Sequence, residues 1–397
     1  MSTPTPLRTD VLVVGAGPAG SSAAAWAARA GLDVVLADAE VFPRDKTCGD
    51  GLTPRAIAEL ERLGMQSFLD GRVRNWGLRA GGFGQTLYLP WPGHGWPTQG
   101  SAAPRTVLDA AVRQVAIDSG AHGLENHRAV DVIRDGERVT GVVFQVGDEV
   151  REVHCQRLIV ADGARSQLGR VLGRVWHKGT AYGVAARGYV ASARSADPWI
   201  SSHLELRDAN GKVMSGYGWI FPLGDGNVNI GVGTLATDRR PADVNLRQLM
   251  QVYADQQREE WQLDGEINAP KSALLPMGGG VSGVAGPNWM LVGDAAGCVN
   301  PLNGEGIDYG LESGILAAER FVADPVTAPV TYDREVGERF DAFLRTGRRF
   351  SFLIGHPWVL RTGLRFAVGT EAVANVTLQV MGNLVDGSTP GPGTAVA

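Results

Sequence analysis

The segment 10–38, "DVLVVGAGPAGSSAAAWAARAGLDVVLAD", limits what this chain can fold into more than any other. Its apolar run at 11–14 reads as a parallel strand buried on both faces. The alanine-rich stretch that follows reads as a helix closed by Gly31, and "DVVLAD" as a second strand. Between strand and helix stand Gly15, Gly17 and Gly20. The first allows a tight turn, the second lets a pyrophosphate approach the backbone, and the third permits close helix–strand packing. With Ala16, Pro18 and Ala19 they make a loop that leads into a helix N-terminus, whose free N–H groups suit phosphates. Asp38 ends the second strand, 18 residues after Gly20, where a carboxylate can accept from ribose hydroxyls. The pattern predicts a dinucleotide site on a Rossmann-like α/β unit. It does not separate NAD from FAD.

Two later strand ends point to a flavin. "RLIVADG" (157–163) ends in Asp162-Gly163, and "NWMLVGDAAG" (288–297) carries Gly293-Asp294. Asp294 is placed to accept from a ribityl hydroxyl. Gly304, Gly306 and Ile307 then bring a helix N-terminus to the flavin N1/O2 edge, which gains negative charge on reduction. Arg105 opens the helix in "PRTVLDAAVR"; a phosphate contact is expected there, with a surface salt bridge as the plainer reading. Val130 is also assigned to the cofactor site. It lies in a meander (127–155) that turns at Asp135-Gly136.

Residues 182–232 alternate apolar and polar side chains and read as antiparallel sheet. The expected organisation is a discontinuous cofactor domain (1–75, 101–175, 270–325) with an inserted sheet domain (76–100, 176–269). A helical region (326–385) and a disordered tail (386–397) follow. Within the sheet, Tyr217, Trp219 and Phe221 share one strand face and precede Pro222. Three aromatics in a row make either an apolar wall for a hydrocarbon chain or the sheet's own core.

A net charge of −5 argues against nucleic acid as a partner. Three scattered cysteines, Cys48, Cys155 and Cys298, form neither a disulfide framework nor a zinc site, so no metal is expected and a reducing cytoplasm is. Neither a signal peptide nor a spanning helix is visible. Cys155 and Cys298 read as structural, as does His356. The segment 345–369 mixes arginines with bulky apolar residues and suits either an anionic membrane surface or a cover over a substrate tunnel.

The glycine loop, Asp162-Gly163 and Gly293-Asp294 together resemble the p-hydroxybenzoate hydroxylase superfamily of FAD enzymes. "FPRDKTCGDGLTPRA" (42–56) and "YGWIFPLGDGNVNIGVG" (217–233) resemble, more narrowly, the geranylgeranyl reductase family, with the actinobacterial menaquinone reductases as its closest branch. The resemblance runs from about residue 10 to about residue 320. It implies FAD as cofactor and a prenylquinone or other polyprenyl lipid as substrate, met by peripheral contact at the inner face of the cell membrane. It places Cys48, Gly49, Asp50 and Gly51 against the isoalloxazine and Tyr217, Trp219, Phe221 and Pro222 along the lipid.

Arg44 and Lys46 beside Cys48 are expected to lower its thiol pKa, giving Cys48 a catalytic role; packing is the alternative. The implied reaction saturates an isoprene double bond by hydride transfer from flavin N5 coupled to protonation. Cys48, an ordered water and Glu305 are the candidate proton donors. The electron donor is left between NAD(P)H and a small redox protein. Two rival readings are an FAD monooxygenase or halogenase and a non-catalytic flavin or isoprenoid carrier. The halogenase lacks support because no lysine lies between Lys46 and Lys178.

Overall fold

A computed structural model describes residues 6–93, 95–177, 182–236, 244–275, 280–301, 303–354 and 384, with side chains for all of these except 341–343 and 345–354. The strand Leu7–Val14 lies at the centre of the larger sheet. It pairs in parallel with Val34–Ala37 on one side and Glu149–Val160 on the other. His122–Leu124 and Trp289–Leu291 extend the parallel run at either end. Arg128–Asp135 and Arg138–Val146 form the expected meander, antiparallel onto Glu149–Val160.

The apolar run at 11–14 serves two cores. Val11 and Val13 pack under the helices Pro18–Arg29, Arg105–Asp118 and Ile307–Ala323, while Leu12 and Val14 meet Val139, Val142 and Phe144 of the meander side. Successive strand side chains point to opposite faces, so a strand covered on both sides needs an unbroken apolar sequence.

The second sheet has seven strands, in the order Leu263–Leu275, Tyr182–Ser192, Asn227–Ala236, Tyr217–Pro222, Trp199–His203, Gly77–Gly82, Gln85–Pro90. All pairings are antiparallel except Trp199–His203 with Gly77–Gly82. The helix Leu246–Gln257 covers one face, setting Leu249, Met250 and Tyr253 against Ile220, Ile230 and Val232. With Ile220 turned to the helix, Tyr217, Trp219 and Phe221 must turn the other way.

The expected sheet limit at residue 269 is too early, because Leu263–Leu275 stays paired as far as Gly183 opposite Leu275. Pairing skips between Tyr189 opposite Asn268 and Arg187 opposite Lys271, so Ala269 and Pro270 bulge from this outermost strand. A proline inside a strand ordinarily argues against one, yet an edge strand tolerates it. Beyond the helix Ala328–Ile354, the rest of the C-terminal region except Leu384, together with His356 and the tail, lies outside the described residues, as do most of 345–369.

The helix Pro54–Arg62 is tied to Ile307–Ala323 by a buried ion pair. The Arg55 guanidinium donates to Glu312 Oε2 at 3.1 and 2.6 Å and lies 4.7 Å from the centre of the Tyr309 ring. Replacing Glu312 by glutamine keeps the shape but strips a buried cation of its hydrogen-bonded counter-charge. Glu312→Gln is expected to cost about 3–5 kcal/mol of stability. A chemical denaturation midpoint equal to that of the unaltered protein would contradict this.

Candidate active site

A cavity of about 1280 Å³ runs between the two sheets, from Gly15, Gly17, Pro18 and Ala19 to Tyr217, Trp219 and Phe221. At the glycine end, space is the dominant constraint. A Cβ on Gly15 would sit 2.2 Å from the Ala161 carbonyl oxygen, and one on Gly20 would sit 1.7 Å from that of Gly15. Gly15 also has φ +102, which L side chains avoid. Of the expected loop residues, Ala16 and Gly20 do not line the cavity; they hold the turn together. The Ala16 N–H donates to Asp38 Oδ2 at 2.6 Å, and the Glu40 N–H donates to Asp38 Oδ1 at 2.8 Å. Asp38 lines the cavity, and its first task is to fix this turn.

Asp162 and Asp294 also line the cavity. Asp162 Oδ2 accepts from the Leu168 N–H at 3.0 Å, while Oδ1 is buried without a hydrogen-bond partner among the described residues. Burial pushes its carboxyl up from the ordinary aspartate value. Asp294 receives Lys46 Nζ at 3.0 Å. Burial pushes this carboxyl up too, but the Lys46 charge and hydrogen bond outweigh it, and the group is held below the ordinary value. Gly304, Gly306 and Ile307 line the cavity where the helix Ile307–Ala323 begins, as its N-terminus requires.

Three expected site residues stand as follows. Val130 does not line the cavity; it sits on the meander, and its carbonyl accepts from Gln167. Arg105 is not in a surface salt bridge. It is buried and pairs with Asp109 through two hydrogen bonds of 2.6 and 2.8 Å, with Asp109 also receiving Arg44 at 2.8 Å. Arg105 still lines the cavity, but its charge is largely committed. Pro222 is buried off the cavity wall, since it alternates with Phe221.

The expected activation of Cys48 also fails. Arg44 and Lys46 spend their charges on Asp109 and Asp294. Burial pushes the thiol up from its ordinary value, and Arg105 beside it does not pull it back. Cys48 keeps its proton at neutral pH. Glu305 is shifted the same way: burial, with Asp308 nearby, pushes its carboxyl well up, while Thr53 Oγ1 donates to its Oε1 at 2.5 Å.

The loop Cys48–Gly51 rests on the aromatic strand. A Cβ on Gly49 would lie 2.9 Å from Phe221 Cε2 and 3.2 Å from Trp219 Nε1. Tyr217, Trp219 and Phe221 form a row, with ring centres 6.0 and 6.4 Å apart. The Tyr217 hydroxyl donates to the Asn303 carbonyl of the opposite wall.

Sequence reasoning missed the residues that hold this loop. Asn229 Nδ2 donates at 2.9 Å both to the Cys48 carbonyl and to Asp50 Oδ2, and its Oδ1 accepts from Trp219 Nε1 at 2.9 Å. Tyr189 donates to Asp50 Oδ2 at 2.7 Å. Arg187, fully buried, pairs with Asp45 and donates to the Lys46 carbonyl at 3.1 Å. Only Asn229 carried a sequence signal, by its place in the motif 217–233.

The site fits an adenine–flavin dinucleotide on its own geometry. The glycine turn leaves room where side chains would stand, and the buried Asp162 Oδ1 and the Nε and Nη2 of Arg174 have no partners among the described residues. Residues 8–323 match the FAD binding domain family. The menaquinone reductase of Mycolicibacterium smegmatis is 59% identical over 380 residues, covering 95% of this chain and 92% of the relative. Digeranylgeranylglycerophospholipid reductase 1 of Methanopyrus kandleri is 29% identical over 315 residues, covering 79% of this chain and 80% of its own. A solved structure of a geranylgeranyl bacteriochlorophyll reductase-like protein from Thermoplasma acidophilum aligns with a TM-score of 0.73 at 22% identity, covering 97% of this chain and 94% of that one. By its glycine turn, its cavity and these likenesses, the chain belongs to the FAD-binding family and, within it, to the menaquinone and geranylgeranyl reductases.

Proposed function

We propose that the protein is an FAD-dependent reductase that saturates an isoprene double bond in a prenyl lipid, with the menaquinone side chain as its substrate. The observation that carries this reading is the single cavity joining the glycine turn to the aromatic row. The relatives named for menaquinone and for digeranylgeranyl lipids support the lipid class.

Asp38 and the glycine turn hold the adenosine and pyrophosphate, Asp162 and Asp294 take the ribityl and phosphate side, and Cys48–Gly51 lies along the isoalloxazine. Reduced FAD, when bound, supplies a hydride. The chain's own residues bind the lipid, exclude water and provide the second hydrogen as a proton. Tyr217, Trp219 and Phe221 grip the chain; apolar contact contributes about 0.8 kcal/mol per buried CH₂, so a few isoprene units suffice for micromolar binding. Burial favours the protonated forms of Cys48 and Glu305, which suits a site where a proton, not a nucleophile, is needed. Recharging FAD would take an external two-electron donor, a nicotinamide or a small redox protein. No helix among the described residues is long and apolar enough to cross a membrane.

The test is anaerobic. Holoenzyme reduced with dithionite should return to the oxidised flavin spectrum on addition of a prenylated menaquinone, and the lipid, re-oxidised to its quinone, should still carry two added hydrogens by mass. A product that forms only with oxygen and carries an added oxygen atom would identify a monooxygenase. A reduced flavin left untouched would identify a carrier. Shortening the aromatic row by Phe221→Ala should raise KM for long prenyl tails by about ten-fold, from the lost contact area, with FAD fluorescence quenching little changed. Equal KM values would remove Phe221 from the lipid path.

A further inference from the structure

The Cys48–Gly51 loop holds a carboxylic acid that the reading so far leaves without work. Asp50 is fully buried, yet it lies on the cavity wall beside Cys48, and its own N–H reaches Cys48 Sγ at 3.4 Å. It has φ +63 between two glycines that only a bare backbone could place against Phe221. Such a left-handed conformation in a non-glycine residue is a small strain that the surrounding structure must impose.

The two carboxyl oxygens of Asp50 differ in a way that fixes the proton. Oδ2 accepts from Tyr189 Oη at 2.7 Å and from Asn229 Nδ2 at 2.9 Å. Oδ1 is buried with no partner among the described residues. An oxygen that already accepts two hydrogen bonds is the carbonyl oxygen of a neutral acid, so the acidic hydrogen of the neutral form sits on Oδ1, the atom with no other bond to make.

We propose that Asp50 is the general acid of this reductase, giving its Oδ1 proton to one alkene carbon as the flavin hydride goes to the other. This rests on the prenyl-reductase reading. The balance is simple. The π bond of the alkene and the O–H bond of Asp50 break, two C–H bonds form, the electron pair comes with the hydride, and the carboxylate left behind takes a proton from water. The flavin is recharged by an external two-electron donor. Tyr189 and Asn229 aim the acid and stabilise its anion after transfer.

Burial pushes the Asp50 carboxyl up to about 6. Tyr189 and Asn229 pull it down by hydrogen bonding, and Arg187 and Arg105 by charge. Cys48, neutral from its own burial, faces it from the same loop. An acid poised near the working pH is the efficient kind. Because the protonated form is the active one, its supply is full below about 6 and falls ten-fold per pH unit above it.

Single-turnover oxidation of the dithionite-reduced holoenzyme by a prenylated menaquinone, followed against pH, tests this. The unaltered protein should lose rate as pH rises through about 6. Asp50→Asn, whose side-chain carbonyl can still accept from Tyr189 and Asn229, should lose at least a hundred-fold in rate and show no break there. Tyr189→Phe removes a bond that favours the anion, and should move the break to higher pH; this variant serves if Asp50→Asn does not fold. Cys48→Ser should keep the break.

A second readout needs no lipid. Infrared spectra of the oxidised holoenzyme should contain a protonated carboxyl band that titrates near pH 6, is absent in Asp50→Asn and survives in Glu305→Gln. The proposal is overturned if Asp50→Asn keeps the break, if the break vanishes in Cys48→Ser instead, or if no carboxyl band titrates with Asp50. If reduced enzyme ignores every prenyl lipid while the band is present, the fault lies with the lipid reading.

Discussion

The functional architecture depends on one contact, the approach of the Cys48–Gly51 backbone to the face of the strand Tyr217–Pro222. The loop lies outside both large sheets, and more than a hundred and sixty residues of sequence separate the two segments. They can meet only because Gly49 and Gly51 present no side chain to Phe221. Close approach exposes backbone polar groups to a dry surface, where an unpaired group is costly. Asn229 answers that cost by taking the Cys48 carbonyl on one side and the Trp219 indole on the other. The joint between loop and strand is therefore polar at its centre and aromatic around it, and the same atoms that secure the fold shape the chamber.

Local sequence disclosed the parts whose physics is local. The glycine turn, the apolar strand at 11–14 and the helix N-terminus at Ile307 each follow from a few adjacent residues, and each stands where expected. The row of aromatics was legible from alternation alone, but its direction was not; the helix Leu246–Gln257 decides which face is covered. Charge pairing was the harder matter. Lys46 finds Asp294 across 248 residues and Arg44 finds Asp109 across 65, so nearness to Cys48 in sequence said nothing of the field at its sulfur. Arg105 with Asp109 is a separation of four on a helix, a spacing that could have revealed the pair. Tyr189 and Arg187 offered no such clue, because alternate positions of a strand look alike until the partner loop is in place.

Burial works against charge on several acids of the chamber wall. Cys48, Asp50 and Glu305 all have their charged forms disfavoured first by burial, and Asp294 alone of the four is held ionised, by a lysine brought to it. A hydrocarbon substrate would be poorly served by a wall of bare charges, which demand water or counter-ions. Holding protons on the wall reconciles an apolar occupant with a reaction that consumes one.

The bulge at Ala269 and Pro270 has a consequence away from the chamber. An uninterrupted outer strand would hold out a ladder of free amides and carbonyls on which another molecule could lay a strand of its own. Here the ladder is broken midway, proline withholds an amide, and charged Asp264, Glu266 and Lys271 stand along it. Sheet growth from one molecule into the next is thereby discouraged.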